Sequence, residues 1–129
     1  MGLTNQGAII TEKTLSKSDL NQFTGTEQWY RHWTGGNFLY TDGIRHVAEA
    51  GGAFWLIDEI AFAQKIPAVA FEEFQTWKLT VSTGRSATLT CENGNSRPIW
   101  RKSIPFTDFP LTGIMMYFTG KVLLLPSEY

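Results

Sequence analysis

Three observations predict an α+β fold with N-terminal helices packed on one face of a C-terminal antiparallel sheet. Helix-spaced apolar residues are confined to the chain before Pro67, strict two-residue alternation starts at Phe74, and short Gly/Asn clusters separate the alternating runs. A single domain spanning 1–129 fits the length, which suffices to bury about two thirds of the surface of the unfolded chain. Residues 1 to about 14, MGLTNQGAIITEKT, have no amphipathic period and read as a loosely held tail.

Ser16 followed three residues later by Asp19 resembles a capping box, so a short helix is expected through residue 23, stopped by Thr24-Gly25-Thr26. Trp29 and Trp33, four apart, predict a helical turn over 27–33, and Gly35-Gly36 ends it. The large apolar side chains of 37–41 suit a short strand. Asp42-Gly43 then opens a helix over 44–50, broken by Gly51-Gly52. A second helix runs from 53 to about 65 and stops before Pro67; Phe54, Trp55, Leu56, Ile57, Ile60 and Phe62 make it apolar nearly all round, which predicts that it lies inside the domain.

Beyond Phe74 the period changes. Trp77, Leu79 and Val81 alternate with Thr76, Lys78, Thr80 and Ser82, and after Thr83-Gly84-Arg85 the alternation resumes with Ala87, Leu89 and Cys91. Two antiparallel strands with one wet face follow from that pattern. Asn93-Gly94-Asn95 is a turn, 99–104 a third strand, and Pro105 and Pro110 bracket a loop before GIMMYF and KVLLL form a last hairpin across Thr119-Gly120.

Composition narrows the function classes. Hydrophobic residues make up 43% and charged residues 18%, a globular balance, and the net charge of -1 argues against a general nucleic-acid or anionic-membrane binder. Residues 1–73 hold five basic and nine acidic side chains, 74–129 six and three, so the sheet half is mildly basic. The lone Cys91 excludes an intramolecular disulfide and a cysteine-based zinc cluster and suits a reducing cytoplasm. Apolar runs end well short of the roughly 20 residues of a membrane span, and no basic-then-apolar leader opens the chain.

The residues most suited to chemistry lie between 27 and 64, where Arg31, His32, Asp42, Arg45, His46, Asp58 and Glu59 sit among three of the five tryptophans. Asp58 and Glu59 on an apolar helix call for a cation, and Arg45, His46, Arg31 and His32 are the nearest candidates by topology. A carboxylate that orients an imidazole is what a general base uses, and a structural ion pair uses the same parts. The histidines are fourteen residues apart with no HxH or HExxH pattern, so no metal is expected, and no cofactor motif occurs. Trp29, Tyr30, Arg31, His32 and Trp33 form the expected ligand or partner contact, in which Phe38, Tyr40 and Trp55 are further aromatic candidates beside their alternative role as core.

The stretches DLNQFTGTEQWYRHW, FLYTDGIRHVAEAGGAFWLIDEIAFAQ, ATLTCENGN, IPFTDFPL and VLLLPSEY together resemble a family of small, mostly bacterial proteins, notably cyanobacterial, that carry a domain of unknown function. The resemblance spans nearly everything from Leu15 to Tyr129. It implies a cytoplasmic bacterial or mobile-element setting and carries over no catalytic residue. The expectation is therefore a domain that binds a protein partner or small molecule without catalysis, in an oligomeric state the sequence does not specify. Two alternatives stand beside it: a small hydrolase or lyase using His32 or His46 with Asp58 or Glu59 and Arg45 as anion clamp, and nucleic-acid binding through the basic sheet half.

Overall fold

The computed structural model describes residues 15–23 and 28–129. The tail expected at 1–14 and the stop expected at Thr24-Gly25-Thr26 lie outside them. Four helices and seven strands occur in the described residues: α1 (Lys17–Asn21), β1 (Trp29–Arg31), β2 (Leu39–Thr41), α2 (Asp42–Gly51), α3 (Phe54–Ala63), α4 (Pro67–Ala70), β3 (Phe74–Val81), β4 (Ala87–Glu92), β5 (Pro98–Ile104), β6 (Gly113–Thr119) and β7 (Val122–Leu124), with a closing 3-10 turn at Pro126–Glu128. The strands form one sheet in the order β1-β2-β7-β6-β3-β4-β5.

The α+β class is found, and the finer arrangement differs from the expectation. The sheet is mixed, because β2 runs parallel to β7 with Leu39 beside Val122 and Tyr40 beside Leu123, while the other pairs are antiparallel. Nor does helix precede sheet throughout: β1 and β2 come before α2, and the 3-10 turn follows the last strand. Residues 29–31 are strand where a helical turn was expected. The i, i+4 spacing of Trp29 and Trp33 fits a helix, but pairing of Trp29 with Thr41 and Arg31 with Leu39 wins, a tertiary override of a local pattern.

Local signals explain most other boundaries. Ser16 accepts from the Asp19 amide while Asp19 accepts from the Ser16 amide, so α1 begins on a true capping box. The Thr41 hydroxyl, in place of Asp42, caps α2 by accepting from the Ile44 amide at 3.3 Å. A second cap comes from the far end of the chain: Glu128 accepts from the Gly43 amide at 3.1 Å and from the Thr41 hydroxyl at 2.7 Å. Gly120 and Lys121, with φ of 58° and 68°, form the primed two-residue turn that joins β6 to β7.

Side chains alternate across the sheet as the sequence indicates. Trp77, Leu79, Leu89, Cys91, Met116 and Leu123 turn to the buried face, against Ile44, Val47 and Ala48 of α2 and Leu56, Ile57 and Ile60 of α3. The α3 helix is not enclosed, contrary to expectation. Phe54 and Phe62 on its outer side are 47% and 45% exposed, so its uniform hydrophobicity includes a solvent-facing stripe. Gln75, a large polar group in the core, is satisfied: its amide exchanges two hydrogen bonds with Gln64, donates to the Val69 and Glu72 carbonyls, and accepts from the Trp77 indole at 2.9 Å.

Candidate functional site

The loop between β1 and β2 delivers His32 and Trp33 to α3. It is closed by hydrogen bonds from the His32 amide to the Phe38 carbonyl and from the Gly35 amide to the His32 carbonyl, both 2.9 Å. Gly35 and Gly36 sit at φ of 81° and 63°, backbone that L side chains rarely adopt, so the Gly-Gly pair is what lets the chain reverse here. His32 is carried inward to 3% exposure among the rings of Phe38, Trp33 and Phe62.

Both imidazole nitrogens are occupied. The Thr34 amide donates to Nδ1 at 3.3 Å and the Thr34 hydroxyl lies 2.7 Å from the same atom. That leaves the proton on Nε2, which donates to Asp58 Oδ1 at 2.7 Å. The same oxygen accepts from the Trp33 indole at 2.8 Å. A carboxylate thus holds a buried histidine and an exposed tryptophan together. Arg31, His32, Trp33, Tyr40, Phe54, Ile57 and Asp58 line one groove of about 420 Å³ beside this triad.

Apart from Arg31, the other charged candidates lie elsewhere. Arg31 reaches the groove, with Nη1 donating to the Gly36 carbonyl at 2.8 Å. Arg45 donates to Glu49 at 3.2 Å and stands 4.5 Å over the Tyr30 ring, and these partners raise the guanidinium's already high pKa, the Tyr30 hydrogen bond first. Tyr30 itself donates to Asp42 at 2.9 Å. His46 packs on Phe23 and lies 3.8 Å from Asp19, facing α1. Glu59 pairs with Lys102 of β5 at 2.8 Å. Of the expected carboxylate and cation set, therefore, only His32 and Asp58 meet.

Of the five expected contact residues, Arg31, His32 and Trp33 line the groove. Tyr30 reaches Asp42 at the start of α2, and Trp29, 60% exposed, lies outside the groove lining. Tyr40 does line the groove; burial is the main cause that pushes its hydroxyl above the ordinary pKa. Phe54, Ile57 and Thr34 were not singled out. The signal for the first two was present, since residues 54, 57, 58 and 62 recur at i, i+3, i+4 and i+8 along one helix face.

Cys91 is fully buried on the inward sheet face, and burial, with Glu72 and Glu92 adding to it, pushes its thiol up to about 12. Among the described residues no group of three or more His, Cys, Asp or Glu is placed to hold a metal ion. No helix there is long and apolar enough to cross a membrane.

A family of unknown function, DUF6876, matches residues 14–129. The chain belongs to that family. No curated protein and no solved structure matches it. The matched residues include every helix and strand of the described residues, and the groove lies within them.

Proposed function

We propose that the chain is a binding module of the bacterial cytoplasm that takes a protein partner or small ligand in the groove of Arg31, Trp33, Phe54 and Asp58, without catalysis. The observation that carries this reading is the full commitment of His32: Nδ1 is met by Thr34 and Nε2 by Asp58, in a ring 3% exposed. A general base needs a lone pair within reach of a substrate proton. Here the lone pair is spent on Thr34, and the histidine instead fixes Asp58 and, through it, Trp33.

What is left facing solvent is aromatic. Trp33 is 73% exposed, and Phe54 and Phe62 stand beside it half exposed. Exposed aromatic anchors held rigidly are the residues that dominate binding energies in interfaces. The basic sheet half favours nucleic acid less, because Lys78 pairs with Glu92, Lys102 with Glu59, and Arg85 donates to the Thr107 and Phe109 carbonyls. A cytoplasmic setting is supported by one cysteine, buried and held as the thiol.

The test is an NMR screen of peptides and small fragments, read at the Trp33 indole and at Tyr40 and Phe54. Ligands that shift all three together, and that lose affinity in Trp33→Ala, are the expected result. Turnover of an ester, amide or phosphoester substrate that vanishes in Asp58→Asn or His46→Ala overturns the reading.

A further inference from the structure

Asp58 has one oxygen doubly used and one to offer. Oδ1 accepts from His32 and Trp33, whereas among the described residues no hydrogen bond reaches Oδ2, and the side chain is 34% exposed in the groove. Rings of Trp33, Tyr40 and Phe54 line the same groove. A carboxylate bordered by aromatic faces complements an organic cation, which gains both a charge-assisted hydrogen bond and attraction to the ring quadrupoles. A planar guanidinium suits it better than an ammonium, because it stacks flat and is less strongly hydrated.

We infer that the groove receives an arginine side chain presented by a protein partner, a proposal that rests on the binding reading above. Exposure decides between a partner and a free small cation. Small-molecule sites enclose roughly 70 to 90% of their ligand, but a lone guanidinium here leaves the 73% exposed Trp33 and the half-exposed Phe62 largely uncovered. An occupant that brings its own surface covers them. The acidic balance of residues 1–73 favours a basic partner as well. Arg31 is the opposing charge on the rim; its Nη1 bond to the Gly36 carbonyl holds it in place.

These two charges make the test directional. A capped pentapeptide with a central arginine between leucines, its citrulline counterpart, and butylguanidinium are titrated into the full chain. The Trp33 indole resonance, assigned by its loss in Trp33→Phe, is followed. The arginine peptide saturates the shift, with the citrulline peptide weaker by roughly tenfold or more, the loss expected for one charge-assisted hydrogen bond. Asp58→Asn, which keeps an acceptor oxygen for His32 and Trp33, abolishes the preference for arginine, and Arg31→Ala strengthens arginine binding.

Equal affinity for the citrulline peptide overturns the cation proposal while leaving a binding module standing. Butylguanidinium that binds as tightly as the peptide overturns the partner source. Weaker arginine binding in Arg31→Ala, or no shift with any of the three probes, overturns the proposal outright. The binding reading itself falls only to the substrate turnover named above, so the two fail separately.

Discussion

Replacing Asp58 with alanine removes one acceptor from two donors of very different burial. His32 Nε2–H, in a ring 3% exposed and packed among Phe38, Trp33 and Phe62, is left without a partner. An unpaired buried donor costs about 1 to 3 kcal/mol. The Trp33 indole, in a side chain 73% exposed, turns to water and adds little. Asp58→Asn retains an oxygen for both donors and loses only the charge, a cost under about 1 kcal/mol. For a domain of this size 1 kcal/mol corresponds to roughly 3 to 5 °C in Tm. Thermal unfolding at neutral pH should therefore drop by about 6 to 10 °C in the alanine variant, taking the middle of the range, and by less than about 5 °C in the asparagine one. An alanine variant as stable as wild type would falsify the view that Asp58 holds His32, and equal losses in both variants would assign the effect to charge instead of to the acceptor oxygen.

Three further outcomes follow from the packing. Gln75→Leu strands the buried Trp77 indole N–H and should lower the urea unfolding free energy by about 1 to 3 kcal/mol; an unchanged midpoint removes the network from the account. Glu128→Ala withdraws the carboxylate from the Gly43 and Leu125 amides and the Thr41 hydroxyl at the start of α2, at a cost of about 1 to 2 kcal/mol, and faster amide exchange at Gly43 and Ile44 is the local check. Cys91 should resist a thiol reagent at pH 8 in the folded chain and react promptly in denaturant. Because its thiol is raised from 9.0 to about 12, the contribution to stability is complete below pH 9 and is lost as pH climbs toward 12, where the unfolded chain ionises first. Rapid native labelling, or a midpoint that does not fall over that range, contradicts it.

The repeating patterns were legible in the sequence because they depend on residues close in the chain. Alternation from Phe74 to Val81 placed Trp77 and Leu79 inward, and Ser16 with Asp19 marked the start of α1. Trp33 and Asp58 were each singled out, and Asp58 was expected to need a cationic or imidazole partner. Which partner it took was decided by the β1–β2 pairing, which holds residues 29–31 as a strand and so points His32 at α3 while His46 turns toward α1.

Composition and periodicity, then, determine by themselves the α+β class, the buried sheet face, the inert Cys91 and the candidates for a site. Only the tertiary structure makes the sheet mixed, sends Glu128 to cap a helix 85 residues away, and spends both nitrogens of His32. The physical reason is the range of the forces involved. Local propensity and hydrophobic period act over one or two turns of chain, whereas strand register and the closure of buried hydrogen bonds are settled among residues distant in sequence, by the cost of leaving any of those polar groups unpaired.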